Sequence, residues 1–396
     1  MTDAAREACI TGIGIVSCLG EGPEAHWQKL MAGQTNVDEK TFSPFSVHPI
    51  APLNFDLQIP KKGDQRQMEP WQRIGTYAAG LALQSAGIKG NTEILARTDM
   101  IVAAGGGERD TAADSGILSA LQGAANPAAV LNEKLMSDIR PTLFLAQLSN
   151  LLAGNISIVH GVTGSSRTFM GEESSGVDAV RVALARINAG QGDVALVGGS
   201  YNGERKDQLL LYEFGGMLRK GGYAPVWERS SRSGMAVGSL GAFLLIESRA
   251  HAQARGAKVI ARLATVMSDR SSRAQDPVAP ALRRMWQRIA PSIRAGQAAI
   301  LSGATGAEPA TAGERAFLAE HPELPVRATG TYIGHGMEPQ FPMNVALAAL
   351  TLSHGRLFPP RDETGFERPM EGALTQLVVT SVGYWRGEGM ALLEAA

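Results

Sequence analysis

Cysteine is nearly absent. The 396 residues hold two, Cys9 and Cys18. That is too few for a disulfide framework, and the spacing fits no C-x-x-C metal or redox site. Both read as buried structural thiols. No apolar run reaches the length of a membrane span. The opening MTDAAREACI lacks the basic start and long apolar stretch of a signal peptide. Excess charge of either sign is lacking too. Lys and Arg total 37 against 38 Asp and Glu, a formal charge of -1, so nothing pulls the chain toward nucleic acid or a membrane surface. These absences lead us to expect a cytoplasmic chain with no nucleic-acid partner and no membrane insertion. His160, His321 and His354 lack metal-ligand spacing and read as surface or turn residues. Gly12, Gly14 and Gly20 do not fit G-x-G-x-x-G, and Gly105 to Gly107 lack the Lys-Ser/Thr of a P-loop. No metal and no cofactor is expected.

What is present is apolar residue and glycine. Hydrophobic content of 44% supports a packed core, and 46 glycines suit many tight turns. The length allows one large domain or two fused halves. The organising stretch is 164–202, GSSRTFMGEESSGVDAVRVALARINAGQGDVALVGGSYN. SRTFM reads as a strand and GEESSG as a turn. From Val177, the residues Val177, Val180, Leu184 and Ile187 give a helix one apolar face. Ser174 or Ser175 caps its start and Gly190 ends it. DVALVGG reads as a buried strand. The turn lies at the positive end of the helix, where a nucleophile or an anion is stabilised. Elsewhere, 43–65 reads as surface loop, 66–88 as a long helix, and 111–152 as an alanine-rich helical insertion with Phe144, Leu148, Leu151 and Leu152 on its apolar face. The charged run 228–232 reads as a solvated loop.

Several spaced segments resemble the β-ketoacyl-acyl-carrier-protein synthases, the ketosynthases. TGIGIVSCLG is similar to that family's opening segment. YAPVWERSSRSGMAVGSLGAFLLIESRAHAQARGA is similar to its P-F-D-x-x-R-x-G run, with Gly234, Gly238, Glu247, Ala250, Ala254, Arg255, Gly256 and Ala257 fitting. The resemblance covers almost the whole chain. It implies a thiolase-like α/β fold of two pseudo-symmetric halves, 1–247 and 248–396, in five layers (α-β-α-β-α), with the insertion 111–152 as a helical lid. A dimer is implied as well.

The same alignment places the family's catalytic residues, and most are replaced. The nucleophilic cysteine falls on Glu173, or on Glu172 if the turn differs. The first catalytic histidine falls on Gly303 and the lysine on Gly330. The second histidine is retained as His335. Tyr384 falls on the gating phenylalanine, and Trp385 and Arg386 replace glycines, so bulky side chains are expected at the pocket. Condensation needs a thiolate, an oxyanion-holding site, two imidazoles and a tuning lysine; of these side chains only His335 remains. Glu172 and Glu173 can equally serve as first-turn acids on helix amides, or Glu173 can mimic a malonyl carboxylate. His335 can be a relic held by its backbone.

Three roles follow. One is a condensation-incompetent partner of an active ketosynthase, similar to chain-length factors. A second is a malonyl-carrier-protein decarboxylase or an unusual 3-oxoacyl synthase. The third is a scaffold binding acyl carrier protein, through basic residues such as Arg66, Arg73, Arg270 and Arg273 or without them. The partners implied are acyl carrier protein and a second ketosynthase-type chain, in a homodimer or a heterodimer.

Overall fold

The computed structural model describes residues 4–140, 142–231, 233–273 and 278–396. One large sheet is built from β1 (Ala8–Ser17), β2 (Asp99–Ala103), β3 (Ser166–Phe169), β4 (Val194–Tyr201), β5 (Leu240–Ser248), β6 (Ala261–Ser272), β7 (Ala298–Ser302), β8 (Val326–Ala328), β9 (Gln376–Val382) and β10 (Arg386–Ala395). Its order is β8-β7-β9-β10-β6-β1-β5-β4-β2-β3. The two sides of this path repeat one another. In the first, β1 and β5 are antiparallel, as are β5 and β4, while β4-β2 and β2-β3 are parallel. In the second, β6-β10 and β10-β9 are antiparallel, while β9-β7 and β7-β8 are parallel. Ala8, Cys9 and Ile10 join the halves by pairing with Leu263, Arg262 and Ala261.

The helices used below are α1 (Pro70–Ser85), α2 (Thr111–Leu121), α3 (Pro127–Ser137), α4 (Leu151–His160), α5 (Glu172–Asn188), α6 (Lys206–Phe214), α7 (Val278–Ile289), α8 (Ala310–Leu318) and α9 (Gln340–Ser353). Helices α5 and α9 lie between the halves and touch strands of both. Helix α1 covers the outer face of the first half, with α4 against it; α7 covers the second, with α8 packed on it. These are the five layers that the resemblance implies. Strands buried on both faces need no polar alternation, and β5 shows it. Ala242, Leu244 and Ile246 enter the central core, while Phe243 and Leu245 enter the outer one. Helix α9 is buried all round, as a helix between two sheets must be. The glycines of the opening segment serve packing: a Cβ on Gly14 would lie 2.0 Å from the Ala78 carbonyl of α1. Burial pushes the Cys18 thiol up to about 11, and its Sγ meets the Tyr332 carbonyl at 3.3 Å.

Four local expectations are corrected. First, the segment 43–65 is partly interior: Val47 and His48 are buried and pair with Val237 and Gly238. Second, α5 begins at Glu172, so most of the expected turn is helix. Its cap residue is Gly171, and Ser174 and Ser175 instead donate their hydroxyls to the carbonyls of Gly171 and Glu172. Third, His160 and His321 are packing residues, whereas His354 is the exposed turn residue expected of it and adds a ring contact. His160 is buried and bonds the Thr76 carbonyl at 2.8 Å, His354 stacks on Trp27 at 4.0 Å, and His321 lies against Trp286 at 4.5 Å. Fourth, the charged run is not simply solvated. Arg229 is fully buried and donates to the carbonyls of Ala224, Gly234 and Thr305; Arg232 lies outside the described residues.

The insertion is helical. Leu152 is buried and Phe144 is 71% exposed. Strand β3 pairs with β2 along one edge only, so its other edge is bare among the described residues. No helix among the described residues is long and apolar enough to cross a membrane.

Candidate functional site

The site forms where the two central helices begin. In the first half, β3 leads through Met170 and Gly171 into α5. In the second, β8 leads through a short helix and Gly334–His335 into α9. The mirrored topology therefore brings two helix entries together. Contact is close: a Cβ on Gly176 would lie 2.2 Å from the Glu338 carbonyl. Glycine at 176 is what lets the second entry rest on α5.

Glu173 and His335 meet there. Glu173 Oε1 lies 3.0 Å from His335 Nε2, and both residues are 2% exposed. The backbone N–H of Tyr384 donates to the same oxygen at 3.4 Å. The two residues expected at the nucleophile and retained-histidine positions thus form a buried carboxyl–imidazole pair. His335 is also held by its main chain. Its N–H donates to Ala236 O and its carbonyl accepts from Gly238 N, each at 2.9 Å. Gly238 is required for this: a Cβ there would lie 2.0 Å from Ile333 O.

Two residues beside the pair have left-handed backbones without being glycine, Glu172 (φ 54) and Met337 (φ 53). Such conformations cost on the order of 1 kcal/mol or more and persist where packing imposes them. Glu172 turns its carboxylate to Arg386 Nε at 3.5 Å, at the half-exposed rim. Trp385 is 41% exposed, and its ring packs edge-on against Tyr384. Tyr384 donates its hydroxyl to Gly215 O at 3.2 Å. Of the three residues expected at the pocket, Tyr384 reaches Glu173 through its backbone, and the Trp385 and Arg386 side chains lie at the rim.

Gly303 and Gly330 are buried behind this pair. The space a side chain would need at 303 is taken: a Cβ would lie 2.7 Å from Thr380 O and 3.1 Å from Asn344 Nδ2. At 330 it would lie 3.0 Å from Ala304 O. A neutral network runs past them. Thr329 Oγ1 donates to Asn344 Oδ1 at 2.8 Å, Gln340 Nε2 donates to the same oxygen at 3.1 Å, and Gln340 Oε1 accepts from Gly336 N at 2.8 Å. Below it, Glu314 accepts from Ser302 Oγ at 2.8 Å, and burial raises its pKa.

The sequence reading missed Glu338. It is three residues past His335, 8% exposed, and faces a small cavity lined also by Gly105, Tyr201, Asn202, Arg205 and Tyr212. Gly105 makes room for it, since a Cβ there would lie 2.4 Å from Glu338 Oε1. Burial pushes its carboxyl up to about 7, with Glu173 and Glu172 acting the same way. Arg205 pulls the other way but offsets this only in part, its guanidinium being held by Asp207 and the carbonyls of Gly106 and Gly107. An acid three residues past a glycine-flanked histidine was the one available signal.

The basic residues considered for a carrier protein divide. Arg66 and Arg270 are exposed. Arg73 lies over the Phe55 ring. Arg273 is an interior clasp, bonding Glu388 and the carbonyls of Gly383 and Gly387. It fixes the hairpin that carries the Tyr384 N–H.

A family profile described as "Beta-ketoacyl synthase, N-terminal domain" matches residues 5–252. The 3-oxoacyl-[acyl-carrier-protein] synthase 2 of Vibrio cholerae is 24% identical over 269 residues, 65% of this chain and 62% of that protein. That of Rhizobium meliloti is 27% identical over 282 residues, 65% and 63% of the two chains. The matched region thus spans about three fifths of these relatives. Among solved structures, the ishigamide ketosynthase/chain length factor superposes with a TM-score of 0.80 at 19% identity over 99% of both chains. A type II PKS acyl-carrier protein in complex with its ketosynthase gives 0.73 at 16%, over 98% of this chain and 99% of the other. A β-ketoacyl synthase from Burkholderia phymatum gives 0.77 at 17%, over 98% and 99%. At these identities the superpositions bear on the fold alone.

Proposed function

This chain belongs to the β-ketoacyl synthase family, and from that premise we propose that it is a condensation-incompetent subunit that pairs with an active ketosynthase of fatty-acid or polyketide type and helps set product length. The observation that carries the reading is the Glu173–His335 pair. A ketosynthase holds its acyl chain on a thiolate. Here the equivalent position offers a carboxylate, whose acylation would give a reactive anhydride, and the imidazole that would polarise a thioester is already bonded to it. The first histidine cannot be imagined back in place, because backbone and Asn344 fill the space at Gly303. Losing members of such a coupled unit costs orders of magnitude in rate.

The surface supports a partner. Leu118, Leu131, Leu135 and Met136 on α2 and α3, with Leu210, Leu211 and Phe214 on or beside α6, are exposed. Leu118, Leu131, Leu135 and Leu210 line one groove, the kind of exposed apolar surface that favours a protein contact, and the bare edge of β3 offers strand pairing. Acyl carrier protein is the expected donor to the complex, with exposed Arg66 and Arg270 available to an acidic partner.

Co-expression with a cysteine-bearing ketosynthase from the same genome, and purification through a tag on this chain, tests the proposal. A one-to-one complex whose product length changes when this chain is varied is the expected result. A homodimer that captures no ketosynthase would overturn it. Carbon dioxide release from malonyl-carrier protein by that homodimer, lost in His335→Ala, would replace it with the decarboxylase role.

A further inference from the structure

We propose that the donors around Glu173 form a carboxylate-binding cradle, which the chain fills with its own side chain and which, once emptied, binds a small free carboxylate. The inference deepens the non-condensing reading above and rests on it in one respect: the site is closed to an acyl thioester because it is already occupied.

The cradle has two donors. His335 Nε2 stands 3.0 Å from Oε1, and the Tyr384 N–H approaches the same oxygen at 3.4 Å. They meet the carboxylate at the start of α5, 17 residues long, whose cap Gly171 contributes no side chain. The first amides of a helix have no intrahelical acceptor and favour negative charge. The second carboxylate oxygen rests against Gly383, where a Cβ would lie 3.0 Å from Oε2. The hairpin bearing Gly383 and Tyr384 is fixed by Gly383 N to Gly387 O at 2.9 Å and by the Arg273 clasp. The donors are therefore in place before any ligand arrives, and they lie away from water, where charge-assisted hydrogen bonds are strongest.

Not every neighbour favours an anion. Glu172 and Glu338 are also close, and Arg386 is spent on Glu172. The site holds a carboxylate in spite of that, because the occupant is tethered. A group linked to its own site acts at an effective concentration in the millimolar range or above. A free acid or a thioester carbonyl must compete against it.

The ligand class follows from the atoms. Glu173→Ala removes one methylene and the carboxylate, the equivalent of acetate. The test is the stability of purified Glu173→Ala in sodium acetate against sodium chloride at equal ionic strength. The variant should melt below the parent in chloride. Acetate should raise its melting temperature in proportion to the logarithm of its concentration once that exceeds the dissociation constant, by about 2 °C at tenfold excess. The parent, and Glu173→Ala combined with His335→Ala, should not respond. If the variant fails to fold in chloride, refolding yield in acetate against chloride becomes the readout. Equal yields in both salts, an acetate response equal to that of the parent, or a variant as stable as the parent in chloride would each overturn the cradle. No partner is needed. A chain that captures a ketosynthase but shows no rescue rejects the cradle alone, and one that shows rescue but captures nothing rejects the partner role alone.

Discussion

Glu338→Gln isolates a single buried charge. The glutamate carboxyl is raised from 4.5 to about 7, chiefly by burial. A carboxyl whose pKa is higher folded than unfolded keeps its proton longer in the folded chain. Below about 4.5 both states are protonated and the group adds no pH dependence. As pH rises toward 7 only the unfolded chain ionises, so folding is progressively disfavoured, and above about 7 the loss is complete. From 4.5 to about 7, at about 1.4 kcal/mol per pKa unit, the loss is about 3 kcal/mol. Glutamine has nearly the same shape and does not titrate. Urea unfolding of the parent and of Glu338→Gln, across about pH 5 to 8, reads the difference directly, because the other groups titrate in both proteins. The parent should lose about 2–3 kcal/mol relative to the variant, and gain ground again on acidification. Parallel stability curves would refute the reasoning. A parent that gains on the variant with rising pH would show that Glu338 is ionised and paired in solution.

The remaining predictions concern the site and the surface. His335→Ala leaves the Glu173 charge buried without its partner and should cost about 3–5 kcal/mol in urea unfolding, while the added loss on combining it with Glu173→Ala should be smaller than Glu173→Ala costs alone. Gly303→His should restore no condensation activity, and even Gly303→Ala should lose about 1–3 kcal/mol, since its Cβ would press on Thr380 O and Asn344. Phe214 is 81% exposed, so Phe214→Glu should change the stability of the isolated chain by no more than about 0.5 kcal/mol, while weakening capture of a ketosynthase at least tenfold in a pull-down titration.

The fold was readable because its signals are local and repeated. The step of Val177, Val180, Leu184 and Ile187 marks one face of α5, and DVALVGG reads as buried strand whatever surrounds it. The start of α5 was misplaced because Gly171 caps it without a side chain, while both serines bond backward inside its first turn; composition there looks like a loop. His160 and His321 escaped because packing against the Thr76 carbonyl and Trp286 comes from distant segments, while His354 is the exposed turn residue its sequence context suggests. In the site, the resemblance singles out both Glu173 and His335, but not the hydrogen bond between them, as 162 residues separate them. Glu338 escaped because its meaning lies in burial behind Gly105, which spacing does not express. Nor does sequence tell an exposed arginine such as Arg270 from Arg273, whose role depends on where a hairpin passes.

The bare edge of β3 has a consequence for the life of the chain in a cell. Met170, which directly follows the strand, is 65% exposed. An unpaired strand beside an exposed apolar side chain is a template for indiscriminate pairing. A copy made in excess of whatever covers that edge is an orphan, open to aggregation and to quality-control proteases. The chain's abundance should therefore follow its partner's supply and not its own rate of synthesis. Expressed alone, it should give a lower soluble yield than on co-synthesis with a partner, and that gain in yield should be seen before any change in product is detectable.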